Sequence, residues 1–153
     1  MRLGAMIALA ALAALGGCYE SSTPLGPPER VMAEPAFLGA WRCTRPDKEV
    51  VAVEILAFDA SRYYAESRLH GETGRYAAYG SVVGGSLLYN VRPLGQDKWF
   101  FVRAASPSDA ELVLSIVKKD ELKDLDEPAA LREIRRRAND DALYERWAAC
   151  RRP

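Results

Sequence analysis

The chain contains a single histidine, His70, and only three cysteines, Cys18, Cys43 and Cys150, among 153 residues. It has no Cys-x-x-Cys, no His-x-x-x-His and no acidic calcium loop. A dedicated metal site is therefore not expected, and no cofactor motif is present. Gly-x-Ser-x-Gly is missing too, so there is no nucleophile elbow for His70 to serve. That histidine precedes Gly71 and reads as an exposed turn residue. The glycine-rich run from Gly80 to Gly85 lacks the Lys-Ser/Thr of a phosphate loop and opens no helix, so it reads as strand and turn. An excess of either charge is also absent, since 21 Lys and Arg balance 21 Asp and Glu. This excludes nucleic acid as a partner and gives no broad attraction to anionic headgroups. Long apolar runs are missing apart from Leu3 to Leu15, which is shorter than the roughly 20 residues that cross a bilayer.

That one run has telling neighbours. Met1-Arg2 supplies a positive start, and Gly16-Gly17-Cys18 ends the segment with two small residues before a cysteine. The segment resembles a lipobox. The resemblance implies cleavage before Cys18, a diacylglyceryl group on its thiol and acylation of the freed amine. Residues 1–17 are then a signal peptide, and the mature chain is held to a bacterial membrane by covalent lipid at Cys18. Tyr19 stands where an Asp would signal inner-membrane retention, which implies the outer membrane, on its periplasmic side. Each buried CH2 contributes about 0.8 kcal/mol, and stable anchoring takes more than one chain. Removing 17 residues from 153 leaves 136, enough for one small domain and a tether. Only Arg2 among the charged residues goes with them, leaving 20 basic against 21 acidic side chains.

Residues 18–36 hold Pro24, Pro27, Pro28 and Pro35 with several Ser, Thr and Gly and show no period of 2 or 3.6. They read as an extended linker. With Cys18 assigned to lipid, Cys43 and Cys150 remain as a pair near the two ends of the folded region, and an oxidising envelope favours a disulfide between them. Residues 37–153 form the domain. Short alternating runs predict strands over 40–44, 49–58, 62–69, 75–83, 86–91, 98–104 and 110–117. Asp126-Glu127-Pro128 then caps a helix over 128–138, with Leu131, Ile134 and Ala138 on one stripe. A last strand spans 143–150. The fold class is mainly β: a small antiparallel barrel or strongly curved meander with one C-terminal helix. Closure or curvature would limit the exposed sheet edges.

Gly39-Ala40-Trp41 at the first strand resembles the Gly-x-Trp that opens lipocalins and related calycin barrels. The resemblance implies a tryptophan packed across the closed barrel end beneath a basic side chain from near the last strand, a part for Arg151 or Arg146. It transfers no ligand, and no later motif of the Thr-Asp-Tyr type follows. Alternation leaves the strand aromatics divided between faces. If Tyr63, Tyr76, Tyr89 and Trp99 share the inward face, they either fill a narrow core or line a small apolar pocket. Glu54 and Glu66 on neighbouring strands form the nearest thing to a catalytic carboxylate pair, but such charges more often decorate an outer face. Arg135-Arg136-Arg137 on the helix point in three directions and read as a solvated face. The expected function is that of a non-enzymatic envelope lipoprotein binding or stabilising another envelope component. The alternatives are a lipocalin-like carrier of a small apolar ligand and an inhibitor of a wall-degrading hydrolase.

Overall fold

In the computed structural model, residues 17–28 and 31–153 are described. The expected signal peptide therefore lies outside the described residues except for Gly17. Alternation along each strand builds one sheet: β1 (Gly39–Thr44), β2 (Val50–Ala57), β3 (Arg62–Leu69), β4 (Glu72–Val83), β5 (Ser86–Pro93), β6 (Phe100–Ser108), β7 (Glu111–Val117) and β8 (Tyr144–Arg151). All neighbours are antiparallel, and the order β1 to β8 closes on itself as a barrel. Closure comes from β1 against β8, where Arg42, Cys43 and Thr44 face Arg151, Cys150 and Ala149. The curved meander is thus resolved in favour of the closed barrel, which leaves no free sheet edge.

The same closure forms the predicted disulfide. Cys43 and Cys150 are directly opposed and bonded, with their Cα atoms 3.9 Å apart. Both are almost wholly buried, beside Trp41, Val51 and Leu112. Most strand boundaries fall near the expected ones; β6 runs to Ser108 where 98–104 was expected, and β4 starts at Glu72 rather than at 75. The turn expected over 71–74 is only His70-Gly71, with φ of 51° and 79°, the signature of a two-residue primed hairpin. Gly74 lies inside β4, where a Cβ would come within 2.5 Å of the Tyr76 hydroxyl and 2.8 Å of Ser67 Oγ. It makes room for a side chain and does not turn the strand.

Helix α1 (Glu127–Arg136) begins where Asp126 accepts a hydrogen bond from the Ala129 amide at 2.9 Å, satisfying one of the helix's free donors. Its buried face of Ala130, Leu131 and Ile134 lies on the outer wall of the barrel against Val83, Leu88 and Phe101. Residues 18–28, the first part of the stretch read as a linker, share this layer. The Tyr19 amide donates to the Val117 carbonyl, and Ser21 and Trp99 exchange backbone hydrogen bonds. Leu25 is 3% exposed within the same cluster. Its amide donates to Asn90 Oδ1 at 2.8 Å and its carbonyl accepts from Arg135 at 2.7 Å. Tyr79 and Ser81 donate to the carbonyls of Gly26 and Pro27. Backbone polar groups of the strap are thus satisfied by backbone and side chains of the barrel and by Arg135 of α1.

One end of the barrel is plugged. Trp41 is 1% exposed, and its indole N–H donates to the Phe37 carbonyl at 2.9 Å. The guanidinium of Arg152 lies 3.7 Å from the Trp41 ring centroid and donates to the carbonyls of Leu38 at 2.7 Å and Ala36 at 3.2 Å. The basic residue expected there was Arg151 or Arg146; both point outward, and Arg151 is 81% exposed beside Glu111. Period two gives the reason. Cys150 faces in, Arg151 faces out, and the next inward position belongs to Arg152.

Candidate functional site

The inward residues of the sheet do not fill the barrel. They enclose a cavity of about 300 Å³, within the range of small-molecule sites. Its wall is apolar: Val51, Val53 and Ile55 of β2, Val91 of β5, Val102 of β6, and Leu112, Leu114 and Ile116 of β7. The space exists because small side chains stand at inward positions where larger ones would meet, namely Ala65, Ala78 and Ala104. Towards the plugged end, the rings of Phe37, Tyr89 and Tyr63 pack edge to face in series, each pair 5.8 Å apart. The Tyr63 hydroxyl accepts from the Glu34 amide at 2.6 Å. Burial first, and Tyr63 second, push the Tyr89 hydroxyl well above its usual range, so it stays protonated as a neutral polar group. At the other end, exposed His70 and half-buried Glu72 line the opening. His70 Nε2 is 3.0 Å from Glu49 Oε1.

Two features of this cavity depend on tertiary structure. The β7–β8 register slips between Leu114 and Ser115, so Ala148 opposes Leu114 while Arg146 opposes Ser115. Trp147 is the extra residue of this bulge, and a bulge re-aims its side chain. Trp147 lines the cavity, and its buried indole N–H has no hydrogen-bond partner. A buried donor left unpaired costs about 1–3 kcal/mol.

The second feature is Cys18. Its side chain packs with Phe100 and Ile116, against Val102 and Trp147, all four of which line the cavity. Burial, then the charges of Glu145 and Glu20, push its thiol up to about 12, with Arg45 opposing. At neutral pH it is a protonated thiol and a poor nucleophile in the docked state.

The chain matches no family model, no curated protein and no solved structure. No ligand is therefore inherited from a relative. Of the aromatic set expected to share a pocket, Tyr63, Tyr76 and Tyr89 line the cavity. Trp99 does not. It immediately precedes inward-facing Phe100, so it faces outward, and it packs edge to face on Tyr79 with Arg92 over its ring. Glu54 and Glu66 stand directly opposite each other on β2 and β3. Glu66 is bonded to Tyr64, Arg75 and Arg68, and these hold its carboxyl below the usual range, Tyr64 foremost. The helix arginines diverge: Arg135 reaches Leu25, Arg136 pairs with Glu133, and Arg137 pairs with Glu121 and Asp140. Among the described residues, no group of three His, Cys, Asp or Glu side chains is placed to hold a metal ion. No helix among them is long and apolar enough to cross a membrane.

Phe37, Trp147 and Cys18 were not anticipated as neighbours of the cavity. The apolar alternation of β7 was visible in sequence and gave Leu112, Leu114 and Ile116 a common face. A bulge and a docked strap leave no such periodic trace.

Proposed function

We propose that this protein is a lipid-anchored, lipocalin-like binding protein that holds a small apolar ligand inside its barrel. One observation carries the reading: an apolar cavity, plugged at one end by Phe37, Trp41 and Arg152 and lined at the other by His70 and Glu72. Hydrocarbon would bury against the β2, β6 and β7 side chains at about 25 cal/mol per Å² of apolar area. Cys18 carries the lipid in this reading, which places the protein in the bacterial envelope, at the outer membrane with Tyr19 following the cysteine.

The reading is non-enzymatic. His70 and Glu66 border the cavity, but each is tied in an ion pair, to Glu49 and to Arg75, and neither is bonded to a serine or cysteine. It is preferred to inhibition of a hydrolase because the barrel hairpins are short. Apart from the β7–β8 connection over 118–143, which carries α1 against the barrel wall, the longest connection between consecutive paired strands covers 94–99, and it is not a loop that could fill a cleft.

Titration of the full chain with a fluorescent long-chain fatty acid tests the proposal. Ala104→Phe fills the cavity, and Ala105→Phe adds the same bulk to the exposed side of β6. The first is expected to weaken binding by at least about tenfold, or 1.4 kcal/mol, and the second to leave it unchanged. If Ala104→Phe fails to fold, Ala78→Leu is the milder filler. Equal binding by the folded cavity variants and the surface variant, or no binding by the parent protein, overturns the reading.

A further inference from the structure

We propose that the barrel rim bearing Cys18 rests on the bilayer, so that the cavity opens towards the leaflet and takes a single-chain amphiphile directly from it. This rests on the lipidation reading of Cys18 and adds what the position of Cys18 implies. In an up-and-down barrel the connections after β1, β3 and β5 and the end of β7 gather at one rim. His70 and Glu72 line the cavity at that rim. Cys18 is there too: it bridges to Lys118, immediately after β7, and Ser21 bridges to Trp99, immediately before β6.

No slack separates Cys18 from the barrel. The Tyr19 amide donates to the Val117 carbonyl, and Ser21 and Trp99 exchange backbone hydrogen bonds, so the chain is pinned immediately after the cysteine. Ten free residues would span at most about 33 Å and let the domain stand off the membrane. With residues 19–28 docked, a lipid on Cys18, whose side chain swings out of its packed position to carry it, holds this rim at the surface.

The rim suits that position. Its charges are of both signs, and several are paired: Arg45 with Asp47 and Glu49, Lys98 with Glu20, and Lys118 with Glu121. It presents no field of one sign to repel headgroups. Leu94, 46% exposed on the β5–β6 connection, offers apolar surface at the same rim. The ligand follows from the same placement. The polar side chains His70 and Glu72 line the cavity at this rim, so the ligand's polar head would sit there. The hydrocarbon would then run inward to Tyr63 and Tyr89. The volume suits one chain better than a two-chain phospholipid.

Two reporters at opposite ends test the orientation: Leu94→Trp at the rim and Phe58→Trp on the β2–β3 connection, which is 67% exposed. The full-length protein, purified from membranes, is placed in phosphatidylethanolamine/phosphatidylglycerol vesicles containing acyl-brominated phospholipid. Brominated lipid should quench most of the emission added by Leu94→Trp, while aqueous acrylamide should quench that added by Phe58→Trp. Inserting a Gly-Ser spacer of about ten residues after Cys18 should return the Leu94→Trp reporter to water. A lipid-bearing Cys18 with the Leu94→Trp reporter in water, or with the Phe58→Trp reporter in the bilayer, overturns this inference alone. Mass spectrometry showing no lipid on Cys18 overturns the anchoring reading itself, and this inference with it.

Discussion

Leu25→Ala asks whether residues 18–28 are part of the folded domain. Leu25 is 3% exposed among Val83, Leu88, Phe101 and the buried face of α1. Truncating a buried leucine to alanine costs about 2–5 kcal/mol, the spread reflecting how far the site relaxes. Leu25 sits on a strap that can settle inward, which puts the expected loss near the lower bound, about 2 kcal/mol. For a domain of this size each kcal/mol lowers Tm by about 3–4 °C, so a drop of roughly 7 °C is expected. The backbone bonds of Leu25 to Asn90 and Arg135 do not need its side chain. Its amide should therefore remain protected from hydrogen exchange in Leu25→Ala, though less than in the parent. Leu25→Asp should strip that protection, because it buries an unpaired carboxylate. Thermal melts with residue-resolved exchange read all three variants. A change of less than about 1 °C in Leu25→Ala, together with an unprotected Leu25 amide in the parent, would refute the docked strap.

Acid should loosen the same strap. Glu127 accepts from the Ser22 amide and from the hydroxyls of Ser21 and Ser22, which hold its carboxyl below the ordinary 4.5, the Ser22 hydroxyl foremost. A depressed carboxylate contributes stability that is complete above 4.5 and lost as pH falls through its lower folded value. Exchange protection at Ser22 should fall over that acidic window in the parent and be low at every pH in Glu127→Gln. For the disulfide, peptide mapping without reductant should recover Cys43 joined to Cys150. The bridge spans 107 residues, a loop for which the chain-entropy model gives about 4.7 kcal/mol, so Cys43→Ala/Cys150→Ala should melt several degrees lower. At the plugged end, Arg152→Ala should cost about 2 kcal/mol through the lost carbonyl bonds and the Trp41 contact. Arg151→Ala should stay within about 0.5 kcal/mol in denaturant titrations, and the reverse ranking would return the plug to Arg151.

By itself the sequence determined eight strands, the helix and the buried face of β2, β3 and β7, because these follow from neighbours in the chain. Period two in Val51, Val53 and Ile55, the Gly84-Gly85 turn and the Asp126 cap are all local signals. It also determined the cysteine pair, since assigning Cys18 elsewhere leaves only two. What the tertiary structure decided is whatever depends on how distant segments meet. Closure of β1 on β8 turns a curved sheet into a barrel, and only a closed wall makes a cavity out of Ala65, Ala78 and Ala104. A one-residue bulge turns Trp147 to the cavity, and one step past Cys150 decides that Arg152 rather than Arg151 covers Trp41. The strap was hidden for a different reason. Its prolines and serines carry no periodicity, and their partners Asn90, Tyr79, Ser81 and Glu127 lie far along the chain. Local pattern determines what a segment can form, whereas burial and hydrogen bonding between remote segments decide what it touches.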